Sequence, residues 1–472
     1  MNIEFLLLTT AGAVGFTLIY FGFELRRAGL LHWRSSGFWA LASFALYFVA
    51  SPAACALTVE LKIYETSLIF IRGTGRGFWI LLVAVLGICA FFITYLHTSY
   101  KSVYWKLVSR NQVFNPTTTL ILVVFILIGT WSLLVFRAGI TEYSAGKLVQ
   151  GSRFVGSVTG YEASAFLFLI FPLFVLLLSK DKFIRGIGWI ISFIFLILTA
   201  RHGYSRYVAV SFLLGISLLD SVRLQRNWPK VKYVLIILIV AAVLQARGHH
   251  FWNLTDTQEI SISTKSLKYN PLGILTGPDT SMLATWYISS QLVDNYRGYD
   301  YGINTLNYAL TGWIPYRYFP GKYFMIDWFE KLRGSNDIDS YISILSGSKP
   351  SLLGSFYEHG GPVAVILCMA LSGFLCRRLD GMLSSNSPDL IRALGVAIMC
   401  HLWMIWGSHD YWAINSVGSV TIPAVFVWLV SRKTRRRRWR IVAVNSEQNN
   451  AEVQTATTLP QTVTVAHNPL RV

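Results

Sequence analysis

Phe78-Trp79-Ile80-Leu81-Leu82-Val83-Ala84-Val85-Leu86-Gly87-Ile88-Cys89-Ala90-Phe91-Phe92-Ile93-Thr94-Tyr95-Leu96-His97 carries no acidic or basic side chain before its terminal histidine. An α-helix needs about 20 such residues to cross a hydrocarbon layer about 30 Å thick. Comparable runs recur near 3–24, 37–60, 118–136, 163–179, 186–200, 207–220, 232–246, 355–375, 390–407 and 418–431. Together they predict an all-α polytopic membrane protein with about eleven transmembrane helices, some short enough to be tilted or broken.

Composition agrees with that class. Of the 472 residues 54% are hydrophobic and only 14% charged, too little polar surface to clothe a soluble globule. The opening Met1-Asn2-Ile3-Glu4 lacks a basic region, and the apolar run behind it is long enough to span, so the first helix is expected to be retained. Cys55, Cys89, Cys368, Cys376 and Cys400 form no CxxC pair and have no histidine at ligand spacing. Free thiols are expected, with no disulfide and no structural metal.

The formal net charge of +18 admits nucleic acid, anionic lipid or a phosphorylated substrate as partner. No soluble domain exists to hold a nucleic acid, so that class is set aside. Part of the excess lies in the tail Arg432-Lys433-Thr434-Arg435-Arg436-Arg437-Arg438-Trp439-Arg440, which reads as a cytoplasmic anchor on anionic lipid. Counting spans back from it puts the N-terminus in the periplasm. Cytoplasmic turns then carry Arg26, Arg27 and Arg34; Lys101, Lys106 and Arg110; Lys180, Lys182 and Arg185; Arg223, Arg226, Lys230 and Lys232; and Arg377 with Arg378. The outer turns are basic too, with Arg72, Arg76, Arg137, Lys147, Arg153, Arg201, Arg206, Arg247, Arg297, Arg317 and Lys322. Cations kept on the translocated side oppose the insertion bias and ask for a function.

Four segments follow: transmembrane helices over 1–246, a large periplasmic loop over 247–351, further transmembrane helices over 352–431, and a basic tail over 432–472 expected to be disordered. Within the loop, Ser281–Asn295 and Lys322–Leu332 read as short helices lying in the interface. Its middle, Tyr308-Ala309-Leu310-Thr311-Gly312-Trp313-Ile314-Pro315-Tyr316-Arg317-Tyr318-Phe319-Pro320-Gly321-Lys322, sets two cations among aromatics and between prolines. That composition suits a headgroup-level site for an anion.

Four constellations can carry chemistry. Thr199-Ala200-Arg201-His202-Gly203-Tyr204-Ser205-Arg206 places two arginines on one outer turn, where guanidinium groups can converge on a phosphate. The plainer account is two arginines snorkelling to the interface. Arg317 and Lys322 sit on a proline-stiffened loop that holds charge at lower entropic cost; a solvated loop with incidental charge is the competing account. Gly354-Ser355-Phe356-Tyr357-Glu358-His359-Gly360-Gly361-Pro362 puts a carboxylate and an imidazole at the mouth of a span, where Glu358 or His359 can act as general base and the glycines admit close backbone approach. Helix capping or packing explains the pair equally well, and the same holds for His409-Asp410. Gly151-Ser152-Arg153-Phe154-Val155-Gly156-Ser157-Val158-Thr159-Gly160-Tyr161-Glu162 offers Arg153 as a further anion contact.

Taken together, the spans, Ser152-Arg153 with Gly160-Tyr161, Thr199-Ala200-Arg201, Ile314-Pro315-Tyr316-Arg317 and Gly354-Ser355-Phe356-Tyr357 ahead of Gly360 resemble the Wzy-type O-antigen and exopolysaccharide polymerases. The resemblance covers most of the membrane part and not the tail, on short motifs. It implies a GT-C-like glycosyltransferase at the periplasmic face of a bacterial inner membrane. Its substrates would be oligosaccharide repeat units on undecaprenyl diphosphate, with a chain-length regulator and a flippase as partners. A lipid diphosphate leaving group gathers negative charge, which arginines can stabilise without a metal or other cofactor. Arg201, Arg206, Arg317, Lys322, Arg153 and Tyr357 are then the candidate substrate-binding residues, and Glu358 and His359 the candidate catalytic ones. The turn after Ala200 departs from the common pattern, leaving Arg201 and Arg206 both open for the family's cation. Asp300, Asp327 and Glu330 leave a metal open. The alternatives are an O-antigen ligase and a flippase or transporter of lipid-linked glycans, the latter expected to carry charge within its spans and discontinuous helices.

Overall fold

The computed structural model describes residues 3–58, 74–99, 120–132, 165–201, 206–240, 275, 282–294, 298–311, 351–384, 387, 389–407, 410, 413–414 and 416–429. Among them there is helix and no strand. The elements are α1 (Ile3–Arg27), α2 (Ser36–Thr58), α3 (Thr74–His97), α4 (Leu120–Ser132), α5 (Leu167–Leu178), α6 (Lys182–Arg201), α7 (Arg206–Arg223), α8 (Val231–Val240), α9 (Met282–Leu292), α10 (Ile303–Thr311), α11 (Ser351–Met382), α12 (Asp389–Trp406) and α13 (Ser416–Leu429). A helix occupies each of the eleven apolar runs. Five of these helices, α1, α2, α3, α11 and α12, are long and apolar enough to cross a membrane by length and composition.

Each long helix has two faces. On α1, Leu7, Val14, Leu18, Phe21 and Leu25 are buried, whereas Phe16, Ile19, Tyr20 and Phe23 are exposed. On α11 the stripe Val363, Leu367, Leu371 and Leu375 is exposed, at the four-residue spacing of one helical face. Apolar residues turned outward at this density fit a hydrocarbon solvent and not water. α2 carries Pro52, which has no N–H to give and would crowd the carbonyl four residues back. The chain answers with a π turn at Leu46–Ala50, closed by Ser51 N–H donating to the carbonyl of Leu46.

The principal pair is α3 against α11, and small residues let the two backbones close. A Cβ on Gly373 would lie 2.3 Å from the carbonyl oxygen of Phe91, and one on Gly87 would lie 2.8 Å from Leu353 and Val365. Without water to drive association, such close packing supplies the dispersion contacts that hold membrane helices together.

The helix ends gather at two levels. At one, the Trp33 N–H donates to Asn227 O over 2.9 Å, and Arg34 reaches Gln225 and Asn227. Asp380 on α11 accepts from the Ser36 N–H at 2.7 Å and from the Tyr95 hydroxyl. This level collects Arg26, Arg27, Arg34, Arg223, Arg226, Arg377 and Arg378. The other level collects the start of α3, the stretch Tyr357–Gly361 of α11, the end of α12, the end of α9, and α10, whereas Leu353 at the start of α11 reaches Gly87 partway down α3.

α9 corrects one expectation. A helix does form inside Ser281–Asn295, but it does not lie on the surface with one face exposed. Met282, Leu283, Ala284, Trp286, Tyr287 and Ile288 are all buried, as are Ser289 and Ser290. Its apolar and small residues encircle the axis, so it has no polar face to show to headgroups. It packs instead into the bundle against α2, α3 and α11. Arg153, Arg317, Lys322, the stretch Lys322–Leu332 and the tail 432–472 lie outside the described residues, as does most of the loop 247–351.

Candidate active site

The site begins at a break in α11. Gly360 leaves helical geometry, and Gly361 takes φ 64°, ψ −150°. That region is open in practice only to glycine, and a Cβ there would stand 2.7 Å from the Tyr299 hydroxyl. Pro362 then starts the second half, where its fixed φ and missing N–H cost nothing. Interrupting the helix leaves the carbonyls of Glu358 and His359 without partners in the following turn. They accept instead from the N–H groups of Asp300, at 3.1 Å, and Tyr301, at 2.9 Å.

This clamp delivers Asp300 to His359. Asp300 Oδ1 lies 2.6 Å from His359 Nδ1 and accepts from the Gly302 N–H at 2.9 Å. On the other side of the ring, His359 Nε2 lies 2.7 Å from Asp410 Oδ2 and 3.2 Å from Thr305 Oγ1. The Thr305 hydroxyl also donates to Asp410, and the Asp410 N–H donates to Ser355 Oγ at 3.3 Å. Side-chain exposure is only 11% for His359, 9% for Asp300 and 8% for Asp410.

A carboxylate only accepts, so an imidazole with an acid at each nitrogen leaves two arrangements. The ring carries both protons, or one of the acids carries one. Either way a proton lies in each of the two hydrogen bonds that join the imidazole to Asp300 and Asp410. Asp300 fixes the ring's orientation, as a carboxylate behind a catalytic histidine does, and leaves Nε2 with Asp410 as the working edge. Among the described residues no group of three or more His, Cys, Asp or Glu side chains is disposed to hold a metal ion.

A second polar group lies nearby. Arg76, in the first turn of α3, forms an ion pair with Asp294 and donates to the carbonyl of Ser290 at 3.3 Å. The Tyr357 hydroxyl donates to Asp294 Oδ2 at 3.1 Å. Tyr357 thus joins the ion pair and not the histidine cluster, its ring set against Trp286 and Tyr299.

The sequence-derived candidates separate accordingly. His359 is at the centre of the cluster, and Glu358 next to it is buried. Asp410 and Asp300 complete the cluster, although the sequence offered the first only beside His409 and the second only as a metal option. Arg76 was visible as an outer cation but not as part of a site. Arg201 closes α6 and Arg206 opens α7, with their side chains outside the described residues. α7 ends beside Gln225 at the basic level and is about 27 Å long at 1.5 Å per residue, so Arg206 starts it near the opposite level.

Comparison of the chain with protein-family models, with curated proteins and with solved structures gives no match.

Proposed function

We propose that this chain is a membrane glycosyltransferase that polymerises oligosaccharide repeat units carried on undecaprenyl diphosphate, at the periplasmic face of a bacterial inner membrane. The observation that carries the reading is the nearly buried Asp300–His359–Asp410 cluster at the end of a membrane helix, far from the basic turns. The second half of α11, from Pro362 to Met382, is about 30 Å long, the thickness of a hydrocarbon core. The cluster therefore stands at the membrane edge, where a lipid-linked sugar presents its headgroup.

In the proposed reaction a sugar hydroxyl of the acceptor attacks the anomeric carbon of the donor glycan. A C–O bond forms there as the bond from that carbon to the diphosphate oxygen breaks. The hydroxyl proton passes to the His359–Asp410 edge, with Asp300 steadying the imidazole and Glu358 as the other candidate base. The diphosphate leaves with the bonding pair. Arg201 and Arg206, with Arg317, Lys322 and Arg153, are proposed to neutralise the charge it gathers, which needs no metal. The full arrangement of eleven spans, a periplasmic loop over 247–351, an outer N-terminus and a cytoplasmic tail belongs to the same proposal. An O-antigen ligase would use the same donor and the same chemistry.

One observation favours a second reading. A broken helix with titratable side chains at the break is a device of transporters, so a flippase for lipid-linked glycans is the rival. Depth argues against it, since transporter sites lie near the midplane and the 21 residues from Pro362 to Met382 put this break a full hydrocarbon thickness, about 30 Å, from the basic level.

The test is incubation of the purified chain in detergent with undecaprenyl-diphosphate repeat units, followed by gel analysis of the glycan. A ladder of multiples is expected. Deletion in the host distinguishes the alternatives: single capped repeats mean lost polymerisation, unattached polymer means lost ligation, and repeats retained on the cytoplasmic leaflet mean lost transport.

A further inference from the structure

We propose that Tyr301 is a sugar-stacking platform that receives a pyranose ring of the acceptor next to His359. The proposal rests on the glycosyltransferase reading for its ligand class and on geometry for its location.

Three residues of Gly298-Tyr299-Asp300-Tyr301-Gly302 have positive φ: Gly298 at 74°, Tyr301 at 51° and Gly302 at 76°. Two are glycines, which adopt that region freely. The third is a tyrosine, where glycine would be easier for the backbone. The conformation is imposed from several directions. The Asp300 and Tyr301 N–H groups are held by the carbonyls of Glu358 and His359, the Gly302 N–H by the Asp300 carboxylate, and the Ile303 N–H by the Asp300 carbonyl at 2.9 Å. A side chain kept on a strained, over-determined backbone beside a candidate active site has a use of its own.

Its surroundings narrow that use. Tyr301 is 78% exposed, so its ring is not there to fill a core. Its centroid is 6.5 Å from that of Tyr299, which packs at 6.3 Å on Tyr357, which in turn lies 6.2 Å from the buried Trp286. An edge-to-face series thus runs from the core to the surface and ends in an open aromatic face. Close to it in the chain, Asp300 bonds His359 and Thr305 bonds Asp410, so polar groups of the cluster flank Tyr301 in sequence. A flat, open aromatic face matches the apolar C–H face of a sugar ring. The Tyr301 N–H is bonded to the His359 carbonyl at 2.9 Å, which anchors the platform's backbone to the residue that carries the imidazole. The competing role is a tyrosine anchored among lipid headgroups, to which the exposed Ile303 and Leu306 would contribute.

Tyr301→Phe, Tyr301→Leu and Tyr301→Gly separate the two, using the purified full-length chain. Methyl glycosides of glucose, galactose, mannose, rhamnose and N-acetylglucosamine are the binding probes, read by saturation-transfer NMR. Saturation of at least one glycoside is expected with wild type and Tyr301→Phe, and a loss of at least fivefold with Tyr301→Leu and Tyr301→Gly. In polymerisation assays Tyr301→Leu should raise the acceptor KM about tenfold and leave kcat within twofold. Tyr301→Gly relieves the backbone, so its thermal stability should not fall below wild type, which guards against misfolding as the cause. Full glycoside signal with Tyr301→Leu, or none with wild type, overturns the platform. Tyr301-dependent glycoside binding without any polymer formation would instead sink the polymerase reading and leave the platform standing.

Discussion

His359 has a carboxylate at each ring nitrogen, and that crowding sets what each substitution should do. Glutamine can replace one hydrogen bond but cannot take up a proton, so His359→Gln should lower kcat by roughly 10²–10⁴-fold, the usual worth of a general base. Asp410→Asn should fall in the same range, since it removes the acceptor at the working edge. Asp300→Asn should cost less, because it leaves the ring in place and weakens only its orientation. Unchanged polymerisation by His359→Gln at normal protein levels would remove this residue from the chemistry, and the same assay on Glu358→Gln decides between the two neighbours. At the charged end of the reaction, Arg201→Ala, Arg206→Ala and Arg317→Ala should each lose about 2–4 kcal/mol of transition-state stabilisation, by analogy with the loss of one oxyanion donor, or about a hundredfold and more in rate. Lysine should restore only part, for it lacks the planar fork. Wild-type rates from all three alanine variants would move the diphosphate site elsewhere, and loss of activity in EDTA alone would give the work to a metal. The sequence made Glu358 and His359 visible as adjacent polar residues at a span's mouth. It could not join them to Asp300 and Asp410, which lie 59 and 51 positions from His359; local spacing carries no information across that separation.

Among the elements, α11 shows how far periodicity reads and where it stops. Hydropathy located the apolar run, and Gly360-Gly361-Pro362 marked a place where backbone could come close. Hydropathy placed the start of the span near 355, yet helix extends back to Ser351 and then breaks, because only tertiary partners such as the Asp300 and Tyr301 N–H groups make the break worthwhile. The α9 expectation failed for a related reason. Whether a short helix without a strong polar face lies on a surface or inside depends on what surrounds it, and α2, α3 and α11 do. Two glycines give the quantitative test. Gly373→Ala drives a methyl against the backbone carbonyl of Phe91, which cannot rotate aside, so it should destabilise by about 1–3 kcal/mol as overpacking does. Gly361→Ala forces a side chain into a region open to glycine alone, at a similar cost of about 1–3 kcal/mol. Gly12→Ala is the control: nothing lies within 4 Å of its Cβ, and alanine favours helix over glycine by about 1 kcal/mol. Thermal unfolding in detergent should rank Gly373→Ala and Gly361→Ala below wild type and Gly12→Ala at or above it. Equal midpoints for Gly373→Ala and wild type would mean that α3 and α11 are not so closely packed.

For the molecule as a whole, the two levels of helix ends differ in chemistry. One holds Arg26, Arg27, Arg34, Arg223, Arg226, Arg377 and Arg378, the excess expected of turns that stay in the cytoplasm. The other holds the Asp300–His359–Asp410 cluster and the Arg76–Asp294 pair, groups that are costly near lipid unless they serve a reaction or a fold. The proposed orientation turns this chemistry outward, and it can be measured without any activity. Ser335 lies in the stretch assigned to the periplasm and Ser446 in the tail assigned to the cytoplasm. The native thiols lie in the helices: Cys55, Cys376 and Cys400 are buried, and Cys89 and Cys368 half-buried, so replacing them with serine or alanine gives a clean background. In that background a membrane-impermeant thiol reagent applied to intact spheroplasts should label Ser335→Cys at once and Ser446→Cys only after lysis. The reverse pattern would invert the molecule, put the cluster in the cytoplasm and end the case for a periplasmic polymerase. Labelling of both before lysis would place the tail outside and require an even number of crossings between them, against the odd number that the apolar runs beyond 351 provide.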